Sequence, residues 1–342
     1  MKRQLLAACA AASAMLVLAS PIAATAAGSA GGGGLQVVQR IDGPDGGWDL
    51  ASYDAARRRV YVAHGAVVLA VSLSDGKLDA NFAPGDHLHE VVVVPGHDLL
   101  VTTNSGDSSA KILKASDGSL LTSLKVADDP DSAAYDPATG LVVVIGGDSG
   151  VLTLIDPVKR EIAGAITVGD HLEFGQPDGR GLFFVNVEDK GQIAVVDLKA
   201  RKVLRRYDMA GCQRPTGLAY VEGGRLIASC GGLAKILDAA SGREIASLKI
   251  GGFPDAVLYD PGRHLAYIPT ALDGKLWVIR LAGADKNTIV ESVATQPGAR
   301  TGAVDLKTGR IYLPTAQYGP IEPGKRPQPK PGTFQVLVLD RK

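Results

Sequence analysis

The segments VLTLIDP (151–157), QIAVVDL (192–198) and FQVLVLD (334–340) repeat one apolar pattern that ends near an aspartate. Four further segments follow a similar pattern, namely VVLAVSL (67–73), AKILKAS (110–116), LAKILDA (233–239) and KLWVIRL (275–281). Self-similar units of about 40 residues, each containing several short strands, are typical of the blades of a β-propeller. In that fold, equivalent positions of all blades meet at the mouth of a central channel, where we expect a functional site.

Each repeat predicts an inner strand, two nearly continuous apolar strands and an outer strand. The inner strands are predicted in GWDLASYD (47–54), HEVVVVP (89–95), PDSAAYDP (130–137), HLEFGQP (171–177), PTGLAYV (215–221), PDAVLYDP (254–261) and ARTGAVD (299–305). Outer strands follow six of them, and Leu35–Ile41 is strand-like and unassigned. We therefore expect an all-β, seven-bladed β-propeller over residues 35–342, with four antiparallel strands per blade and the N-terminal strand closing the last blade. A ring of six or eight blades and a β-solenoid are the alternatives.

The N-terminus has the pattern of a secretory signal peptide. Lys2 and Arg3 precede an apolar stretch from Leu5 to Leu18, and Ala24-Thr25-Ala26 is a small-residue cleavage site. We expect a signal peptide over 1–26, a flexible Gly-rich leader over 27–34, and a periplasmic or secreted protein. The apolar stretch is too short for a good membrane span, so we expect none after the signal is removed.

Charge and cysteine content restrict the class of partner. Without Lys2 and Arg3, 34 of the 36 basic residues remain against 36 acidic ones, a net charge of −2. This balance gives no reason to expect nucleic acid as a partner. Cys212 and Cys230 remain after export, where an oxidising compartment permits a disulfide, but the sequence leaves their pairing open.

The predicted second and third strands resemble the repeats of a known family. The second-strand segments are Tyr61-Val62-Ala63-His64, Val101-Thr102-Thr103-Asn104, Phe184-Val185-Asn186, Tyr267-Ile268-Pro269-Thr270 and Tyr312-Leu313-Pro314-Thr315. They resemble the motif of the YVTN-type (YncE-like) exported β-propellers, as do the third-strand ends Leu154-Ile155-Asp156 and Val195-Val196-Asp197. The resemblance implies the propeller fold, which hosts many unrelated activities and does not by itself define a function.

Alignment of the inner strands superposes polar residues that would converge on the channel mouth. They are Asp49, Glu90, Asp131, Thr216, Asp255 and Arg300, with His171 or Glu173 from the fourth repeat and His87, His89 and Arg214 just outside this ring. Three interpretations remain open. The aspartates cap turns, the ring binds a polar ligand, or the ring holds a metal or acid–base site. In the last case His87, His89 and His171 would be the metal-binding histidines, because His-x-His on a strand places both rings on one face.

We expect a binding scaffold that uses the channel mouth to hold an exported protein or a polar small molecule, and that acts as a monomer. No cofactor is required, although a divalent metal stays open. The alternative is a lactonase-like hydrolase or lyase that uses the acidic and histidine ring. Gln317–Gly332 carries five prolines, and we interpret it as a tolerated insertion or as a loop that contacts a partner.

Overall fold

Short antiparallel strands make up nearly all of the computed structural model, which describes residues 33–283, 286–319 and 328–342. The predicted signal peptide (1–26) and most of the predicted leader (27–34) lie outside the described residues, as does the middle of the Pro-rich segment. No helix in the described ranges is long and apolar enough to cross a membrane. The helical structure assigned there is one 3₁₀ turn, Glu188–Lys190.

Most consecutive strands are joined by short turns, and the longest connection, residues 316–334, lies between the last two strands. They are β1 (Leu35–Asp42), β2 (Ala51–Asp54), β3 (Arg59–Ser72), β4 (Leu78–Val94), β5 (Leu99–Asn104), β6 (Ser109–Lys114), β7 (Leu120–Lys125), β8 (Pro130–Asp136), β9 (Leu141–Gly146), β10 (Val151–Asp156), β11 (Glu161–Thr167), β12 (Leu172–Pro177), β13 (Leu182–Val187), β14 (Gln192–Asp197), β15 (Lys202–Asp208), β16 (Pro215–Val221), β17 (Arg225–Cys230), β18 (Leu233–Asp238), β19 (Glu244–Lys249), β20 (Leu258–Asp260), β21 (Leu265–Thr270), β22 (Lys275–Leu281), β23 (Asn287–Ala294), β24 (Ala303–Val304), β25 (Ile311–Thr315) and β26 (Gln335–Arg341).

The strands form a β-propeller, and we refer to each hydrogen-bonded sheet as a blade. In the described part of the chain there are six blades, of which five have four strands and one has six, in the order β2-β3-β4-β5-β6-β7. The expectation of seven four-stranded blades is therefore wrong. The physical reason is that β3 and β4 are each one continuous strand where the sequence predicted two separate strands. Gly65 of β3 pairs with Leu88 of β4, which joins the first two predicted repeats into one enlarged blade.

The N-terminal strand closes the last blade, as the sequence analysis expected. Strand β1 pairs antiparallel with β26, from Leu35 opposite Arg341 to Asp42 opposite Gln335. It forms the outer strand of the sheet β1-β26-β25-β24. This pairing joins two segments from opposite ends of the described chain and leaves a short outer edge.

The hydrophobic core lies between the faces of neighbouring blades. One core cluster combines Val143 and Leu152 of one blade with Phe183 and Val196 of the next, all at most 1% exposed. Middle strands are covered on both faces in this arrangement, which explains why their sequences are almost continuously apolar.

Buried aspartates stabilise the turns that follow several inner strands. Asp54, Asp136, Asp260 and Asp305 are at most 1% exposed, and each accepts a hydrogen bond from a backbone N–H two or three residues later. This capping compensates turn N–H groups that would otherwise lack partners. The turn-capping interpretation thus applies to these four aspartates, which lie at the C-terminal ends of their inner strands. Asp131 and Asp255 lie at the opposite, N-terminal ends.

A disulfide joins Cys212 and Cys230, the pairing that the sequence left open. Their Cα atoms are 5.5 Å apart, and the bond ties the segment before β16 to the last residue of β17. Both cysteines belong to one apolar cluster together with Leu218 and Leu226.

Replacement of Asp305 by Asn is expected to lower the free energy of unfolding by about 1–3 kcal/mol at pH 7, because a buried, hydrogen-bonded charge is lost. Although burial opposes it, hydrogen bonds from Thr308, Tyr53 and Arg58 lower the pKa of Asp305 to about 2. A carboxylate with a lowered folded-state pKa stabilises above its unfolded pKa and loses that effect as the pH falls. The deficit of Asp305→Asn in urea unfolding should therefore shrink between about pH 4 and pH 2.

The matched control is Asp340→Asn, which removes an exposed ion pair with Arg310 and should cost less than about 1 kcal/mol. Equal losses in the two variants would contradict a special role for the buried aspartate.

Candidate functional site

Bulges at the start of the inner strands direct polar side chains to the channel mouth. In four inner strands the pairing register shifts at this point, between Leu88 and Val91, Pro130 and Ala133, Leu172 and Gly175, and Pro215 and Leu218. A bulge leaves extra residues unpaired and turns a side chain away from the sheet. The first residues inside these bulges are His89, Asp131, Glu173 and Thr216.

Polar residues near the ends of the second strands hold the bulges in place. Thr103 Oγ1 accepts a hydrogen bond from Glu90 N at 2.9 Å and donates one to Asp131 O at 2.6 Å. Ser229 Oγ accepts from Gly217 N at 3.1 Å, and Asn186 Nδ2 donates to Thr216 O at 2.7 Å. The polar residues of the YVTN-like segments Val101–Asn104 and Phe184–Asn186 therefore organise the backbone of the mouth.

The rim of the mouth carries residues in the left-handed conformation. His87, Asp129, Arg214 and Phe253 have φ between 52 and 59°. Asp129 and Arg214 directly precede β8 and β16, His87 lies within β4 just before its bulge, and Phe253 precedes the isolated bridge of Pro254 with Thr270. Such a φ costs a non-glycine residue about 1–2 kcal/mol. The carbonyl groups of His87 and Phe253 accept backbone hydrogen bonds from Ser105 and Ala271, at 3.1 Å each. The left-handed conformation thus recurs in four repeats, where it turns the chain and places one side chain of each repeat on the rim.

A cavity of about 430 Å³ opens at the mouth. Among the described residues it is lined by Asp49, Leu50, His87, His89, Ser105, Asp129, Asp131, Asp148, His171, Glu173, Phe174, Asp255 and Arg300. Six carboxylates and three histidines face one arginine in this lining. The structure thus brings together eight of the residues singled out from the sequence, namely Asp49, His87, His89, Asp131, His171, Glu173, Asp255 and Arg300.

Glu90 and Arg214 lie elsewhere. Glu90 is 7% exposed and lines a second, mostly apolar cavity of about 330 Å³ that also includes Leu50 and Phe174. Its carboxylate accepts hydrogen bonds from Val91 N at 3.0 Å and Ser52 Oγ at 3.1 Å, and burial raises its pKa to about 8. The bulge shifts the alignment by one residue, so His89 takes the ring position that the sequence analysis gave to Glu90.

His89 lies between two carboxylates. Its Nδ1 is 2.7 Å from Asp49 Oδ2 and 3.3 Å from Asp131 Oδ1, and its Nε2 is 3.0 Å from Ser105 Oγ. Burial alone would lower the pKa of His89, but the hydrogen bond and charge of Asp49 outweigh it and raise the pKa. Asp49, His89 and Asp131 offer three ligand atoms that all lie within 4.8 Å of one another.

Arg300 neutralises another part of the cavity. Its Nε donates to Asp255 Oδ2 at 2.8 Å, and its Nη2 donates to Trp48 O at 3.0 Å. Its guanidinium carbon lies 5.7 Å from the centre of the Trp48 ring, a cation–π distance. Arg300 is thus fixed against one side of the mouth.

His171 contacts an acidic residue that the sequence analysis missed. His171 Nδ1 is 3.1 Å from Glu188 Oε2, and Arg214 Nε is 2.7 Å from Glu188 Oε1. Glu188 follows β13 directly, in the same kind of loop that supplies Ser105 and Asp148. Alignment of the loops after the second strands, in addition to the inner strands, is the signal that could have found it. Arg214 itself is 79% exposed and reaches the site through this contact.

Several carboxylates of the cavity are electrostatically unfavourable to one another. Burial, together with the negative charges of Asp131 and Asp255, raises the pKa of Glu173 to about 10. Burial and the charge of Asp49 raise the pKa of Asp131 to about 7. Burial raises the pKa of Asp255 to about 6, despite the opposing effect of Arg300. A positive group in the cavity would relieve this repulsion.

The base of the Pro-rich segment lies beside the mouth. Tyr318 pairs with Pro329 in an isolated β-bridge, and Lys330 N donates to Gln317 O at 2.7 Å. The Tyr318 ring is 6.2 Å from the ring of Trp48, the residue before Asp49. Residues 320–327, which the partner-contact hypothesis also invokes, lie outside the described ranges.

Solved structures share this architecture at low sequence identity. The structure of U3-55K aligns with a TM-score of 0.76 at 10% identity and covers 90% of this chain and 98% of that one. The WD40 repeats of RRP9 give 0.76 at 8%, with 90% and 97% covered. A chain of the mitotic checkpoint complex gives 0.73 at 12%, with 99% and 98% covered. The chain is therefore a β-propeller with WD40-type structural neighbours, a likeness that concerns the fold alone.

No family model and no curated protein matches the chain. The YVTN-type (YncE-like) assignment accordingly stays a prediction that rests on the quoted motifs.

Replacement of Glu173 by Gln is expected to raise the free energy of unfolding by about 1–2 kcal/mol at pH 8, because Glu173 must take up a proton to fold at that pH and a glutamine need not. A carboxyl group with a raised folded-state pKa destabilises increasingly as the pH rises above its unfolded value. The gain should therefore be smaller at pH 5 than at pH 8. Urea unfolding of chelator-treated protein at both pH values measures it.

Glu188→Gln is the matched control, since Glu188 has a positive partner in Arg214 at 2.7 Å. It should give no gain in the same measurement. A loss of stability in Glu173→Gln at pH 8 would contradict the electrostatic account of the cavity.

Proposed function

We propose that this β-propeller is an exported, YVTN-type binding scaffold whose mouth receives a basic side chain of a partner protein. The main observation in support of this proposal is the cavity, in which six carboxylates face one arginine. Its formal charge would be −5 with all carboxylates ionised and the histidines neutral, and the raised pKa values of Asp131, Glu173 and Asp255 indicate that a positive occupant is needed to keep them all ionised. An arginine or lysine from a partner would complement this charge and form charge-assisted hydrogen bonds.

The size of the cavity suits a side chain or a small polar group. At about 430 Å³ it lies within the range of ligand sites, about 300–1,000 Å³. Four of its carboxylates, Asp49, Asp131, Glu173 and Asp255, come from four different inner-strand starts and surround a common space. A planar guanidinium with five N–H donors matches such a distributed set of acceptors.

An apolar pair on the rim favours a protein as the source of the basic group. Phe253 is 64% exposed and Leu272 is 67% exposed. The two segments are joined by hydrogen bonds from Ala271 N to Phe253 O and from Leu272 N to Gly252 O. Phe253 lies two residues before Asp255, so the apolar pair borders the acidic cavity. Exposed apolar groups beside a polar site are typical of protein contacts.

The wider context supports the same proposal. One structural neighbour is a chain of the mitotic checkpoint complex, so the same architecture occurs in a protein assembly. Export is part of the proposal, and it is supported by the signal-peptide pattern of residues 1–26 and by the Cys212–Cys230 disulfide.

The peptide acetyl-Leu-Arg-Leu-amide is expected to bind the chelator-treated protein with a Kd at or below about 1 mM. The same peptide with citrulline, which is similar in size and neutral, should bind at least about tenfold more weakly. Glu173→Gln should weaken binding of the arginine peptide and leave binding of the citrulline peptide unchanged. Phe253→Ser should weaken binding of the full peptide more than binding of arginine amide. Calorimetry or NMR titration measures these affinities.

Asp340→Asn, which changes a carboxylate on β26 that pairs with Arg310, is the control and should leave binding unchanged. Equal affinity for the arginine and citrulline peptides would overturn the proposal. Binding of arginine amide as tight as that of the full peptide would assign the site to a small molecule instead.

The second candidate function is a metal-dependent hydrolase of the lactonase type, or a lyase. The observation in its favour is the metal-like spacing of Asp49, His89 and Asp131. Zinc-loaded protein would then hydrolyse a small lactone faster than buffer with the same zinc concentration, and His89→Ala would abolish the difference. An equal rate in buffer and in the presence of the protein would remove this candidate.

A further inference from the structure

We propose that the channel mouth holds a divalent transition-metal ion between Asp49 Oδ2, His89 Nδ1 and Asp131 Oδ1. The inference deepens the proposed function, on whose cavity it rests, by assigning a fixed cation to one side of it. One imidazole and two carboxylates are the ligand types that zinc and similar ions use in proteins.

The separations of the three atoms suit one ion. Metal–ligand bonds of about 2.0–2.2 Å place neighbouring ligand atoms about 3 Å apart in tetrahedral or octahedral sites. His89 Nδ1 lies 2.7 Å from the Asp49 oxygen and 3.3 Å from the Asp131 oxygen. All three atoms already lie within 4.8 Å of one another, so a small displacement of side chains admits the ion.

The far side of the imidazole has the partner that a metal-bound histidine requires. Ser105 Oγ lies 3.0 Å from His89 Nε2 and donates its own proton to His87 O at 3.4 Å. It is therefore available to accept a hydrogen bond from Nε2–H. In the tautomer that carries its proton on Nε2, the lone pair of Nδ1 faces the two carboxylates. Metal-binding histidines almost always donate their other N–H in this way.

In that tautomer, electron pairs on Nδ1 and two carboxylate oxygens face a common point. Without a metal, a proton on Nδ1 that is shared with Asp49 Oδ2 at 2.7 Å fills this point, and a divalent ion would replace that proton. Arg300 does not fill the same point, because its Nη2 lies 3.8 Å from Oδ1, the other oxygen of Asp49. The Oδ2 atom is thereby left to face His89 and Asp131.

The backbone around the three ligands is held in position. Thr301 Oγ1 donates to Asp49 O at 2.6 Å, and Thr103 Oγ1 donates to Asp131 O at 2.6 Å. Leu50 N donates to His89 O at 3.0 Å and so joins the two inner-strand starts that carry Asp49 and His89. A preorganised set of ligands reduces the cost of ordering them around an ion.

The other metal-spaced group in the described residues, His171, Glu173 and Glu188, fits an ion less well. Both oxygens of Glu188 have partners, Arg214 at 2.7 Å and His171 at 3.1 Å. The positive charge of Arg214 next to this carboxylate would repel a metal ion. His87 belongs to neither group, so the structure assigns the ion to His89 among the three histidines proposed from the sequence.

Calorimetric titration of chelator-treated protein with Zn²⁺ tests the proposal. We expect one equivalent of zinc to bind, and His89→Ala and Asp131→Asn to weaken its affinity at least about tenfold to a hundredfold. Ser105→Ala should weaken it about tenfold, because the ring loses its orienting partner. His87→Ala and His171→Ala are the matched controls and should stay within about threefold of the wild type. Thermal unfolding of each variant without metal checks that it is folded.

The zinc position provides a measurement independent of affinity. Anomalous diffraction at the zinc edge should locate the ion between Asp49, His89 and Asp131. Loss of binding in His171→Ala with retention in His89→Ala would overturn the assignment, as would the absence of stoichiometric binding in folded wild-type protein. If zinc does not bind but the protein still prefers the arginine peptide to the citrulline peptide, only the metal-site proposal is refuted. If zinc binds but the peptides do not, only the partner proposal is refuted.

Discussion

A closed belt of hydrogen bonds around the channel mouth is the constraint on which the rest of the site depends. Five of the seven links join the starts of neighbouring inner strands, and the other two reach an inner-strand start from a second strand, through Thr103 of β5 and Asn186 of β13. The links are Thr301–Asp49, Leu50–His89, Thr103–Asp131, Ser132–Glu173, Asn186–Thr216, Thr216–Pro254 and Ala256–Arg300. Side chains and bulged backbone make most of these bonds, and the pairing of β12 with β13 completes the ring between Glu173 and Asn186. The belt fixes the backbone from which the acidic side chains project.

This rigidity explains how the protein keeps like charges together. Asp131, Glu173 and Asp255 have raised pKa values because they are buried close to other carboxylates. Such an arrangement opposes folding, and apolar packing between blades compensates for it. Arg300 and His89 offset part of the charge, each from a fixed position. A site that retains a net negative charge at a cost in stability is suited to a positive occupant.

The fold class could be predicted from the sequence because each repeat is defined by patterns of residues that are close together in the chain. Apolar runs, turn residues and the strand-like segment at Leu35 all led to a propeller closed by its N-terminal strand. The number of blades could not be predicted from the sequence, because it depends on whether β3 and β4 continue through a bend or break into separate strands. Gly65 and the bulges near it let the chain continue through positions where the repeat predicted separate strands.

The site could be predicted to within about one residue. A bulge adds a residue without changing the apolar pattern, so alignment of inner strands gave Glu90 the place that His89 occupies. Glu188 escaped detection because its contact with His171 crosses between a loop and a strand start that are 17 residues apart in the chain. Such contacts are set by tertiary geometry, which single-sequence patterns do not encode.

The two cavities of the channel differ in chemistry, and the difference argues that the occupant stays at the mouth. Leu50 and Phe174 line both cavities and lie between the acidic space and a space lined mainly by apolar residues, with Ser52, Glu90 and Gln176 among its polar groups. A cation that passed them would leave the ionised carboxylates of the mouth. Glu90 on the far side has a pKa raised to about 8, so a neutral carboxyl group predominates there at neutral pH. The acidic mouth is therefore the part of the channel that suits a positive group, and all blades except β16–β19 contribute to its lining.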